Sequence, residues 1–158
     1  MIPGEGPSGA RVLFVGESPG PPDAVSGMPF QGPVGDMMNR IIGGAGLRRE
    51  ECYLTNVVKY ISRGKDLTED IIGFFLPFLR REILAADPEI IVTLGAMPAR
   101  VLLGTDEAIS KVRGRFYEYE GRPLLPTFNP AYLLRDPTKK REVWDDMQKV
   151  RAALATVS

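Results

Sequence analysis

Four short apolar runs, each closed by a turn or breaker residue and separated by helical patterns, constrain this chain more than any other feature. They are residues 11–16 (RVLFVG), 53–58 (YLTNVV), 89–94 (EIIVTL) and 124–128 (LLPTF). Each has strand length and a rigid stop. Between them Met37, Met38, Ile41, Ile42 and Ala45 recur at helical spacing and predict a helix over 34–45, ended by Gly46. Ile71, Ile72, Phe75, Phe78, Leu79 and Ile83 form the apolar stripe of a second helix over 68–86, which Pro77 should bend or split. A third helix is expected over 97–103, closed by Gly104, and a last one over 138–154 with Val143, Trp144, Met147, Val150 and Leu154 on one face. Residues 116–119 and 123–125 flank Glu120-Gly121 as a hairpin. Alternating strands and helices predict an α/β domain over 11–158 with a mainly parallel sheet. Residues 1–10, rich in Gly and Pro, read as a flexible arm.

Composition removes several chemistries. The chain has 158 residues and no histidine, so Ser-His and Cys-His nucleophile pairs and imidazole metal ligands are excluded. Cys52 is the only cysteine, which rules out an internal disulfide and a cysteine cage. Lys plus Arg equals Asp plus Glu at 20 each, so global charge does not announce a nucleic-acid partner. No apolar run reaches the roughly 18 residues of a membrane span, and the N-terminus lacks the order of a signal peptide. A cytoplasmic monomer is the expectation.

In open α/β sheets, ligands bind beyond the carboxyl ends of the strands. Gly16 to Gly20, Asn56, Gly95 and Asn129-Pro130 all fall there. The first of these matches the G-x-S-x-G nucleophile elbow, yet that reading fails. There is no histidine to activate Ser18, and Pro19 lacks the backbone N–H that the oxyanion hole needs. No phosphate-loop motif is present.

Four motifs occur in order: GESPG at Gly16, GMPFQGPVG at Gly27, YLTNVVK at Tyr53 and FNPAYLLR at Phe128. Together they resemble the uracil-DNA glycosylase superfamily, most closely its family 4 type, from about Arg11 to Trp144. The resemblance implies a three-layer α/β/α sandwich around a four-stranded parallel sheet. It implies an enzyme of base-excision repair that flips uracil, or a related deaminated base, out of DNA and hydrolyses its N-glycosidic bond. A catalytically weak or inactive relative that keeps the nucleic-acid or nucleobase pocket is the alternative.

By this resemblance Phe30 stacks on the flipped base, Asn56 pairs with the uracil edge as donor and acceptor at once, and Gly16 belongs to the same base-binding set. As plain structure, Phe30 would be a loop anchor and Asn56 a strand-end amide bonding nearby backbone. Glu17 and Ser18 lie where relatives place groups around the catalytic water. Glu17 either positions that water or stabilises the sugar cation; as plain structure it would cap turn N–H groups. Ser18 departs from the family's Ala or Gly. Asn129 replaces the family's histidine, whose role is to support the departing base. Loss of one positioned donor costs about 10²–10³ in rate. Gly20 carries no side chain where some relatives block the thymine methyl. Pro130, Leu133, Leu134 and Arg135 would enter the minor groove, with one leucine as wedge and the other as core. Arg113 joins Arg135 as the favoured phosphate contact; Lys111, Arg115, Lys139 to Arg141, Arg63 and Lys65 are weaker candidates.

The family also carries a four-cysteine iron–sulfur cluster. Tyr60 and Phe75 stand at two of its ligand positions, and the first ten residues hold no cysteine. No metal and no cofactor are therefore expected, with Tyr60 and Phe75 packed together in place of the cluster.

Overall fold

The computed structural model describes residues 1–62 and 67–157. Its centre is a five-stranded sheet of β1 (Val12–Gly16), β2 (Cys52–Asn56), β3 (Ile90–Leu94), β4 (Tyr117–Tyr119) and β5 (Arg122–Thr127) in the order β2-β1-β3-β5-β4. The four expected strands are parallel neighbours; β4 adds a fifth, antiparallel to β5 through the Glu120-Gly121 turn. The hairpin arm at 123–125 and the last core strand are one strand, β5. Register pairs Gly16 with Asn56 and Leu94 with Thr127, so the chain leaves all four parallel strands along one edge.

Alternate residues of each strand enter opposite cores, as the two-residue strand period requires. Val12, Phe14, Leu54, Val92 and Leu125 pack beneath α2 (Gly32–Gly44), α6 (Pro130–Arg135) and α7 (Lys140–Val157). Leu13, Val15, Ile91 and Leu124 pack beneath α3 (Glu69–Ala86) and α4 (Ala96–Leu103). The result is the three-layer sandwich. Burying each such side chain is worth about 1.5–3 kcal/mol, so the two cores dominate stability.

The proline-rich segment after β1 holds α1 (Pro21–Ser26), with proline at the first helical positions and the Asp23 carboxylate accepting from Gly20 N at 3.2 Å. Proline there fixes φ without losing a hydrogen bond. Two expectations need correction. Pro77 does not split α3, which runs unbroken from the Thr68 cap. Pro77 and Gly73, whose carbonyl loses its intrahelical partner, both lie on the exposed side, so that the lost bond does not fall in the core. The first ten residues are not a free arm. Ile2 is buried, Ile2 N donates to Lys59 O at 2.7 Å, and Glu5 and Leu54 exchange two backbone bonds at 2.8 Å along the open edge of β2. Among the described residues no helix is long and apolar enough to cross a membrane.

Candidate active site

The loops leaving β1, β2 and β5 meet over a cavity of about 200 Å³ lined by Ser18, Asp23, Phe30, Asn56, Asn129 and Ala131, among others. That is below the roughly 300–1,000 Å³ of pockets for drug-sized ligands, so it suits a single ring system. Gly16 lies directly behind two of these lining residues. A Cβ built on Gly16 would stand 2.6 Å from Asn56 Oδ1 and 3.0 Å from Phe30 Cζ, so amide and ring share one spot that only glycine leaves open. Asn56 is buried at the end of β2, where its side chain is on the Cys52 and Leu54 side of the strand.

Phe30 is held in an uncommon backbone state, with φ at 55°. Non-glycine residues seldom adopt it, and bulky ones least. Two side chains fix it from opposite directions. Asp23, itself buried, accepts from Phe30 N at 3.3 Å and from Gln31 N at 2.8 Å. Arg49, on a single 3-10 turn, donates from Nη2 to Pro29 O at 2.9 Å and to Phe30 O at 3.1 Å. Gly35 completes the clamp, because a Cβ there would come within 2.2 Å of Phe30 O. Neither Asp23 nor Arg49 was singled out in the sequence. The one available signal was a carboxylate two residues into a helix opened by proline.

Asn129 caps α6. Its Oδ1 accepts from Ala131 N at 2.8 Å, and its Nδ2 donates to Leu94 O at 3.2 Å. Those two partners fix which way the amide faces, and one Nδ2 hydrogen remains for a ligand. Asn129 is also the wall between the ring-sized cavity and a second one of about 450 Å³, which takes in Glu17, Ser110, Phe128 and Lys139. Glu17 therefore approaches Asn129 from the far side rather than lining the Phe30 cavity. Ser18 does line that cavity, and its Oγ accepts from Ser62 Oγ at 3.0 Å.

The surface beside the site corrects the expected DNA contacts. Arg113 is not available to phosphate: its Nε donates to Asp146 Oδ2 at 3.0 Å and its Nη2 to Glu142 O at 3.0 Å. Asp146 is fully buried and also accepts from Thr127 Oγ1 at 2.6 Å, so this is an internal tie between α7 and β5. Pro130 and Leu133 are buried in the first turns of α6, whereas Leu134 and Arg135 are exposed. Leu133 is thus the core leucine and Leu134 the outward one. Lys111 and Arg115 are exposed, while Arg63 and Lys65 lie outside the described residues.

Tyr60 and Phe75 meet edge to face with centroids 5.4 Å apart, as expected. These residues do not fit an iron–sulfur cluster, for ring carbon fills the place of two thiolates. The one thiol, Cys52, belongs to the opposite core, where its Sγ contacts Arg48 O. Burial pushes the Cys52 thiol up to about 12, the reverse of what a metal ligand needs.

The α/β/α sheet, with a ring-sized cavity at its carboxyl edge that brings an aromatic ring and a buried amide together, defines the fold class and the candidate site. The chain belongs to the uracil DNA glycosylase superfamily, whose family model matches residues 3–148. Within it, the chain belongs with the type-4 uracil-DNA glycosylases. It is 38% identical to the type-4 uracil-DNA glycosylase of Saccharolobus solfataricus over 98% of this chain and 76% of that one. It is 34% identical to the Thermotoga maritima enzyme of the same name over 96% and 82%. For that of Archaeoglobus fulgidus the figures are 32%, 94% and 79%.

Proposed function

We propose that this chain is a monofunctional DNA glycosylase that hydrolyses the N-glycosidic bond of uracil in DNA. The observation that carries the reading is the meeting of the Phe30 ring and the Asn56 amide over Gly16 in a cavity sized for one base. In this reading the flipped uracil stacks on Phe30. Asn56 donates from Nδ2 to the O4 of uracil and accepts the N3 hydrogen at Oδ1, a pattern that cytosine cannot satisfy. The C1′–N1 bond breaks, its electron pair leaves with the base, and water oxygen bonds to C1′ while its proton passes to solvent. The second Nδ2 hydrogen of Asn129 supports the charge that develops on the base. Glu17, across Asn129, stabilises the sugar cation and orients the water.

DNA containing uracil is the proposed partner. Leu134 fills the gap left by the flipped base, and Arg135 meets phosphate. The enzyme works without an iron–sulfur cluster, as a monomer in the cytoplasm.

A single-turnover assay on oligonucleotides carrying uracil, hypoxanthine or xanthine, with alkali to reveal abasic sites, tests the reading. Cleavage at uracil that Asn56→Ala slows by about 10²–10³-fold, without abolishing it, is the expected result. No cleavage of any base, with DNA binding intact, would return the chain to the class of binding modules.

A further inference from the structure

The residue that would read the base stands at a weak place in the sheet. Among the described residues β2 is an edge strand whose outer side is met only by the Glu5 bridge, and Asn56 is its last residue. Edge carbonyls with no neighbouring strand need another donor. Here the donor is a buried ammonium. Lys59 Nζ donates to the Asn56 carbonyl, to Thr55 Oγ1 at 2.6 Å and to Glu82 Oε1, so its three hydrogens are all used. Glu82 is equally committed: it also accepts from Thr55 Oγ1 at 2.8 Å, from Tyr53 OH at 2.9 Å and from Gly4 N at 2.8 Å. Lys59 is 2% exposed, and buried charges of this kind persist only when every polar contact is met. Its backbone carbonyl receives Ile2 N, so the N-terminal segment closes the same cluster from outside.

Resting on the uracil-reading role of Asn56, we propose that Lys59, held by Glu82, is a positioning residue for base recognition. It fixes the Asn56 carbonyl from the α3 side of the sheet while the Asn56 amide faces the base. The cluster forms the rigid back of the recognition edge, and residues 2–5 are part of the site although none lines its cavity.

The test measures kcat and KM on uracil-containing oligonucleotide for Lys59→Met, alone and with Asn56→Ala, at a temperature where circular dichroism shows each variant folded. A misplaced amide should lower kcat by about 10-fold or more, with KM, set largely by phosphate contacts, within about 3-fold. The same substitution should cost almost nothing further when Asn56 is already alanine, because the two residues act as one unit. An equal loss in both backgrounds would overturn the proposal.

Lys59→Met/Glu82→Met guards against a folding artefact. Removing both charges should recover thermal stability and leave kcat low. Recovery of both would show a purely structural pair and defeat the idea. If the unaltered chain releases no uracil, the functional reading fails by itself. The positioning claim then rests on the Asn56 side-chain amide resonances, which should move in the double variant. Unmoved resonances would refute it.

Discussion

Asn56 Oδ1 lies 2.6 Å from the point where a side chain on Gly16 would begin. The two residues are paired across β1 and β2, so neither can withdraw without breaking the register. Gly16→Ala should therefore push the amide and the Phe30 ring out of place together. The expected loss is more than about 10-fold in kcat/KM, with overpacking costing about 1–3 kcal/mol of stability. Activity assays beside thermal melts separate the two effects. Full activity would mean that the amide does not read the base at this spot.

Asn129→His should raise the rate of uracil release. Imidazole can present a stronger donor to the departing base than the one hydrogen that the capped amide has left. A gain of up to about 10²-fold in single-turnover rate is expected. Asn129→Ala should lower the rate and cost about 1 kcal/mol through loss of the α6 cap. A histidine variant no faster than the parent would remove Asn129 from the leaving-group role.

Arg113 and Arg135 should behave oppositely. Arg113→Ala leaves the Asp146 carboxylate buried without its cation and should cost about 3–5 kcal/mol. Arg135→Ala should leave the melting temperature alone, weaken DNA binding and reduce the salt slope by about one ion. Titrations at several salt concentrations, with melts of both variants, decide the matter.

Cys52 should be inert in the native protein. Its thiol keeps its proton at pH 8 because burial, then the charges of Glu51 and Glu50, raises it from an ordinary 9.0 to about 12. Between those values the unfolded chain loses a proton that the folded one retains. This group's contribution to stability is thus complete below pH 9 and declines as pH rises towards 12. Thiol titration at pH 8 should give no reaction until denaturant is added.

Phe75 lies 1% exposed among Tyr60, Phe74 and Phe78, and Phe75→Ala should cost about 3–5 kcal/mol. Protein produced with ample iron and sulfide, and purified without oxygen, should carry no stoichiometric iron and no broad brown absorbance. Bound iron would disprove the cluster-free proposal.

The strands and long helices were legible because their apolar periods are strong and their stops are glycine or a turn. Phe30, Asn56 and Asn129 were legible through ordered motifs, and the fold brings them to one cavity. Their supports were not. Arg113 pairs with Asp146 across the fold, and no local spacing announces such a tie. No local pattern marks Lys59 as buried: lysine is almost never buried unless paired, and its partner Glu82 stands far along the chain on α3. α1 was hidden because Pro21-Pro22 reads as a breaker, although proline also opens helices. The N-terminal segment looked loose because composition cannot show backbone bonds made to a distant strand.

The left-handed backbone at Phe30 puts durability and purpose at odds in this enzyme. Holding an aromatic residue there costs on the order of 1–3 kcal/mol, which the Asp23 and Arg49 contacts offset. Glycine at position 30 would relieve the strain and, in the proposed role of Phe30, leave the base nothing to stack on. Selection for heat resistance alone would thus drift towards an emptied pocket, while selection for repair keeps the strained ring and both of its clamps. Asp23 and Arg49 should consequently change together or not at all, tied by a residue that neither resembles.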